Sequence, residues 1–339
     1  MPRNFGPPCV LVAVAAAASG CVQTPDLQGP LPLRNQHPAQ LTVMHLNPAD
    51  ARVQPAGQTT FRADAAYTSL FLFGATPDSS WFMDGELLRA SLGASVGLGA
   101  GLELGVELPL AHTSGGFLDS FIIDYHDAFG FPDQDRSTSP RDQFLVEASQ
   151  GGQRVWGMDE SGAELLDVPM HLTWQVREPG QERLGLALRT GLELPTGDQD
   201  RGYGNGEVDV AFGGVVDYRQ CGVGYALNVQ HTIAGTPRGA RSLGLEFQDV
   251  TSAALSVELP LSEKVHALIQ TEWESSTLRD LGPNIAAHEQ LLLWVGARWT
   301  PTPDWSFEFA FGEDLLETAS PDFTAWLGAE WRPMAGRDR

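Results

Sequence analysis

The sequence is nearly without lysine, poor in cysteine and free of long apolar runs, and each shortage removes a class of protein. Lys264 is the single lysine among 339 residues, and 43 acidic residues against 21 basic ones give a net charge of -22. A nucleic-acid partner requires a basic footprint, which this balance excludes. The carboxylates form either a solvated acidic surface or a means of sharing divalent cations with anionic lipopolysaccharide. The cysteines are Cys9, Cys21 and Cys221. The first two lie in, or at the end of, an N-terminal leader, so Cys221 stands alone and neither a disulfide nor a cysteine metal site can be built. With 42% hydrophobic residues and a mean hydropathy of -0.15, no stretch resembles the roughly 20-residue apolar helix that crosses a bilayer. A transmembrane β-barrel survives this exclusion, because its strands alternate lipid-facing and lumen-facing residues and average to a soluble-looking hydropathy.

What is present begins with the leader. Arg3 is its early charge, an apolar run covers Val10 to Ala18, and Ala18-Ser19-Gly20-Cys21 follows. This resembles the lipobox of bacterial lipoproteins. The resemblance implies that Cys21 is acylated and becomes the first mature residue, and that Val22, where an aspartate would retain the protein at the inner membrane, directs it to the outer membrane. Ala18 stands where leucine is commoner, which leaves an ordinary small-residue cleavage site as the alternative. The expected division is a signal peptide over 1–20, a periplasmic lead-in over 21–58 and a barrel over 59–333. Gly29 to Asn47, rich in proline and asparagine, shows no clear period and is expected to lie at the periplasmic barrel mouth.

From Thr60 onward the period is two. In Trp305-Ser306-Phe307-Glu308-Phe309-Ala310-Phe311-Gly312 every odd residue is aromatic and every even one small or charged. A helix would scatter these rings, whereas a strand puts all four on one face. The same alternation runs through Leu102 to Leu108, Leu184 to Glu193, Val208 to Gly213, Val265 to Trp273, Gln290 to Trp299 and Phe323 to Trp331. A soluble sandwich would favour long solvated residues on its polar face; here that face is glycine, alanine and single charges, as a narrow lumen requires. Short connections alternate strictly with long ones, the pattern of periplasmic turns and outer loops. The count is twelve strands, with an outer loop at Gly74 to Asp84 and a hairpin at Phe144 to Met158 inside the first large outer loop. Tryptophans such as Trp81, Trp174, Trp273, Trp299 and Trp331 fall near strand ends, where membrane interfaces favour them.

The fold expected is therefore all-β, a single antiparallel transmembrane β-barrel of about twelve strands with a short helical insert. Its lumen candidates are Glu103, Glu107, Arg189, Glu193, Asp209, Glu272, Arg298 and Glu308, with Arg89 and Glu330 beside them. Twelve strands leave little free bore once such side chains are included, so a closed or narrow, cation-preferring pore is expected over a general porin.

Phe117, Leu118, Phe121, Ile122, Tyr125 and Phe129 recur at helical spacing and predict the insert. Asp119 and His126 share a face with Ile122, with Asp127 alongside. The helix is expected to pack into the barrel mouth with His126 on a carboxylate, the alternative being a ligand site or catalytic dyad. Gly29-Pro30-Leu31-Pro32-Leu33-Arg34-Asn35-Gln36-His37-Pro38, together with Gly116 to Asp119 and His126 to Gly130, resembles an uncharacterised bacterial outer-membrane family, domain of unknown function 3187. The likeness spans nearly the whole mature chain and implies a barrel and an envelope location, with no activity attached.

His112-Thr113-Ser114-Gly115-Gly116 is similar to the His-x-Ser-x-Gly stretch of outer-membrane phospholipase A, another twelve-stranded barrel. That resemblance implies Ser114 as nucleophile and His112 as base on the lipid-facing side. The asparagine that orients the histidine in that family has no counterpart in Leu165 to Arg177, so no enzyme activity is expected. The acidic loop Asp198 to Asp209 lacks the ligand spacing of an EF-hand, and Gly202 to Gly206 has no helix after it to cradle a nucleotide. The reading is an outer-membrane barrel lipoprotein acting as a narrow channel or structural component, without cofactor or metal. Its partners would be outer-membrane lipid, lipopolysaccharide and the outer-membrane assembly machinery. A lipid hydrolase and a soluble periplasmic β-sandwich binding protein are the rivals.

Overall fold

The computed structural model describes residues 27–129, 136–316, 321 and 323–333. The leader and Cys21 lie outside these residues. Fifteen strands follow one another: β1 (Thr59–Ala75), β2 (Ser79–Gly99), β3 (Leu102–Ser114), β4 (Leu145–Gln150), β5 (Gln153–Met158), β6 (Glu164–Leu165), β7 (Val168–Arg177) and β8 (Gly185–Leu194) come first. They continue as β9 (Asp209–Gln220), β10 (Val223–Ile233), β11 (Val250–Pro260), β12 (Val265–Glu274), β13 (Gln290–Thr302), β14 (Trp305–Asp314) and β15 (Phe323–Trp331). Twelve of them, all but β4, β5 and β6, pair antiparallel with their neighbours, and β1 pairs with β15 from Phe61↔Trp331 to Ser69↔Phe323. That last ladder closes the sheet into a barrel, which leaves no open edge and excludes the sandwich.

Alternation decides which way each side chain points. On β14, Phe309 is 49% exposed on the outside while Glu308 is 5% exposed within. Leu92, Leu188, Leu255 and Leu327 share the outward parity and are exposed, whereas Ser91, Arg189, Ser256 and Arg298 point inward and are buried. An apolar outer face around a polar interior is the signature of a wall solvated by lipid. Among the described residues no helix is long and apolar enough to cross a membrane. One end of the barrel carries short turns, as at Cys221-Gly222 between β9 and β10, where both residues have positive φ, the conformation a two-residue hairpin needs. The other end carries the long loops.

At the long-loop end the wall rises beyond the barrel. The expected loop over Gly74 to Asp84 is strand instead: β1 and β2 pair as far as Ala75↔Ser80. The hairpin of β4 and β5 adds to this extension through Ser79↔Gln150 to Asp84↔Leu145. The patterning inverts here, because the inward residues Leu70, Leu72, Trp81 and Met83 are apolar and join Val146, Trp156, Tyr203 and Leu278 in one dry core. Trp81, expected at a membrane interface, is 0% exposed and stacks between His37 and Trp156.

The helical insert forms as α1 (Asp119–Phe129), but it does not enter the mouth. It lies on the outside of the wall near the long-loop end, where Phe117 approaches Tyr67 and Phe121 approaches Phe323. The physical reason is the outward carboxylate Glu86. It is 3% exposed and accepts the Phe117 N–H at 2.7 Å, the Leu118 N–H and the Tyr67 hydroxyl. The donors at the start of the helix are satisfied by the wall's outer surface and shield a charge that lipid would not tolerate.

Candidate functional site

The lumen is occupied by the chain itself. Residues 27–54, expected on the periplasmic side, rise from the short-turn end to the dry core at the long-loop end and return. Leu41 and Val43 belong to that core, Leu31 and Leu33 pack with Trp294 and Trp326, and Met44 and Leu46 pack on Ala211. Inward glycines make room for this segment. A Cβ at Gly191 would collide with Met44, and one at Gly296 would lie 2.9 Å from Leu31 Cδ1.

A chain without secondary structure carries unpaired backbone groups into the lumen, and each must find a partner. Seven of its backbone N–H groups donate to wall side chains. Gly29 and Gln28 use Glu258, at 2.7 and 3.3 Å. Met44 uses Asp209 at 2.9 Å, Leu46 uses Gln230 at 2.6 Å and Ala49 uses Asn228 at 3.0 Å. Ala51 uses Asp217 at 2.8 Å and Gln54 uses Glu103 at 2.7 Å. Carbonyls are met by arginine: Arg298 donates to Gly29 O at 2.9 Å and Pro30 O at 3.2 Å, and Arg189 donates to Asn47 O at 2.6 Å.

All eight residues singled out as lumen candidates point inward, and most of them grip the segment instead of lining an open bore. Glu103, Arg189, Asp209 and Arg298 do so as above. Glu107 accepts from Asn47 Nδ2 at 3.1 Å and from Arg89, and Glu272 lies 3.3 Å from His45 Nε2. Glu308 instead ties wall to wall, binding Arg62 and, at 2.7 Å, Arg298; Arg62 also reaches Glu330 at 3.3 Å. Glu193 is buried, and its Oε2 has no hydrogen-bond partner among the described residues.

The remaining candidates lie elsewhere. Asp119 accepts from Arg136 Nη1 at 2.6 Å and from Asp142 N at 2.7 Å. Asp127 is exposed, and the side chain of His126 falls outside the described residues. His112 and Ser114 share the outward face of β3, but the His112 Nδ1 engages the Gly162 carbonyl, and no hydrogen bond joins the two among the described residues. The acidic loop after β8 is a structural lock. Asp167 accepts from Gly197 N at 2.8 Å and Asn205 N at 3.1 Å. Burial pushes its carboxyl up to about 6, against the pull of those N–H groups. Among the described residues no cluster of three His, Cys, Asp or Glu could hold a metal ion.

Sequence reasoning missed the segment's own contributors. Arg34 donates to Gln40 O at 2.7 Å and Val43 O at 3.1 Å, Asn35 donates to Glu274 at 3.0 Å, and the His45 ring sits between Glu272 and Glu274. The available signal was apolar content: Leu27, Leu31, Leu33, Leu41, Val43, Met44 and Leu46 are too many for a solvated tether.

A closed twelve-stranded barrel, apolar outside and polar within, has the architecture of an outer-membrane β-barrel. The sequence model of the family described as "Protein of unknown function (DUF3187)" matches residues 6–332, and the chain belongs to that family. Among solved structures, it is similar to the COG4313 outer membrane channel from Pseudomonas putida F1, with a TM-score of 0.54, 13% identity and coverage of 85% of this chain and 99% of that one. The NanC porin gives a TM-score of 0.43 at 6% identity, covering 81% and 100% of the respective chains. The toluene transporter TodX of P. putida gives 0.39 at 11% identity, covering 89% and 94%. A search of curated proteins finds no match.

Proposed function

We propose that the protein is an outer-membrane channel held shut by its own N-terminal segment. One observation carries this reading: charged and polar side chains that could serve a permeating solute are bonded to residues 27–54, which cross the lumen twice. An inert structural barrel has no need of such a filling, because apolar side chains would close a twelve-strand bore with less buried charge. The channel conducts when the segment shifts in place. The short-turn end is periplasmic in this reading, and the protein is not an enzyme.

Acylation of Cys21 belongs to the same proposal. Five residues lie between it and Leu27, a reach of about 20 Å when extended, enough to join the short-turn end to the inner leaflet. Replacing Cys21 by alanine is expected to abolish acyl labelling and to leave the leader uncleaved.

Conductance across planar bilayers tests the channel. Wild type is expected to be silent at low voltage with rare openings, and a full chain in which a Gly/Ser linker replaces residues 29–53 is expected to conduct steadily. If that variant is silent while its heat-modifiable migration shows a folded barrel, the channel reading fails.

A further inference from the structure

At the short-turn end, between the two limbs of the segment and the wall, lies a cavity of about 970 Å³ counting the solvent at its mouth. A much smaller space, about 270 Å³ counting all the gaps between its lining atoms, lies deeper in the lumen, beside His45, Gln230 and Glu272. Arg189 and Pro48 line both. They form the partition between the two spaces, and the bond from Arg189 to the Asn47 carbonyl holds it closed.

Arg189 differs from the other arginines lining the larger cavity. Arg52 pairs with Asp50, Arg62 with Glu308 and Glu330, Arg298 with Glu308 and Glu258, and Arg332 with Glu330. Arg189 is 7% exposed, has no carboxylate within ion-pair distance among the described residues, and leaves its Nε without a hydrogen-bond partner. The one hydrogen bond it makes among the described residues goes to a neutral carbonyl, and Glu103, in the same cavity, stays beyond ion-pair distance. A buried guanidinium in that state is short of the anionic, bidentate partner its planar fork fits best. His171 lines the same cavity, and no hydrogen bond engages its ring among the described residues.

We propose that Arg189, with His171 beside it, is a binding subsite for a small monocarboxylate that enters from the short-turn end. The carboxylate takes Arg189 from the Asn47 carbonyl, and the two cavities join. Glu103 and Glu107 share this cavity, and their charge disfavours a dianion such as phosphate. Pro30, Pro32 and Pro48 give its wall apolar surface for a short aliphatic tail. This inference rests on the channel reading for its consequence, but the binding step stands apart from conductance.

The test uses purified full-length protein in detergent and butyrate as the probe. Saturation-transfer NMR is expected to show butyrate bound to wild type, about tenfold more weakly to Arg189→Gln, and with partial recovery in Arg189→Lys. Inorganic phosphate and butylamine are expected not to compete. In a Cys221→Ser background, butyrate is expected to raise the reactivity of Ala49→Cys toward a thiol reagent, and Arg189→Gln to make that thiol reactive without butyrate. Equal butyrate binding in wild type and Arg189→Gln would overturn the subsite, as would equal competition by phosphate. Butyrate binding without any change at Ala49→Cys would overturn the release of the segment. A folded Gly/Ser-linker variant that stays silent in bilayers, with butyrate binding intact in wild type, would count against the channel reading alone.

Discussion

Asp209→Ala isolates how firmly the wall holds the lumen segment. The carboxylate accepts three N–H donors: Met44 N at 2.9 Å, Asn205 Nδ2 at 3.0 Å and Gly235 N at 2.6 Å. Each donor left unsatisfied in a buried place costs about 1–3 kcal/mol, so the bound is about 3–9 kcal/mol. Removing the carboxylate also removes its own desolvation penalty, and water can enter the vacated space, which brings the expected loss to about 3–4 kcal/mol. Urea unfolding in phospholipid vesicles measures it, with Glu263→Ala, at an exposed turn position, as a control expected to stay within about 0.5 kcal/mol. A second readout is local: in a Cys221→Ser background, Leu46→Cys should be shielded from thiol reagents in otherwise wild-type protein and react readily once Asp209 is alanine. A loss under about 1 kcal/mol together with a thiol that stays shielded would refute the claim that this carboxylate anchors the segment.

Gly191→Phe puts a ring where Met44 and Leu46 lie; a loss of about 1–3 kcal/mol from overpacking and protease cleavage near Met44 are expected, and an uncleaved segment would count against the threading. Phe309→Arg sets a charge against lipid and should cost about 2–4 kcal/mol in refolding measurements. Glu308→Gln should cost less, about 1–3 kcal/mol: it removes one carboxylate from Arg62 and Arg298, but Arg62 keeps Glu330 and Arg298 keeps Glu258. Glu86→Ala should free α1 for limited proteolysis while heat-modifiability is unchanged, and a helix that stays protected would show that the wall contact is dispensable. Mixed-micelle phospholipid is expected to survive wild type and Ser114→Ala alike; hydrolysis by wild type that vanishes in Ser114→Ala would reverse the assignment of Ser114 as a bystander.

The barrel was legible because lipid and lumen impose opposite demands on successive residues. Trp305 to Gly312 shows this without any structure, and the strict exchange of short and long connections supplies strand number and direction. The same logic failed wherever lipid stopped being the outer solvent. At the long-loop end the inside of β1 and β2 is apolar, so Gly74 to Asp84 read as a loop with Trp81 at an interface, whereas Trp81 and Met83 face a dry core. The helical pattern at Phe117 to Phe129 announced an apolar face and could not say which surface it would meet; the deciding residue, Glu86, is remote in sequence and sits at an outward position where a carboxylate is unexpected. The lumen charges were identified by parity, but their partners were not. An irregular segment has no period, so nothing in Gly29 to Asn47 marks which backbone N–H will meet Asp209 or Glu103.

The route of the lumen segment also dictates an order of events during assembly. Its anchors are spread around the whole circumference: Glu103 on β3, Arg189 on β8, Asp209 on β9, Asn228 on β10, Glu258 on β11 and Arg298 on β13. The segment is the earliest described part of the chain, yet nearly every strand must exist before it has somewhere to bind. The described segment begins and ends at the short-turn end, so its two limbs stand in the ring as a loop. The ladder that closes the ring, between β1 and β15, joins the strand that follows the segment to the final strand of the barrel. Closing that seam over a filled interior brings the wall's carboxylates and arginines together with their partners in one step, whereas closing it over an empty one would trap them unpaired. The segment is thus the form around which the cylinder can be drawn shut.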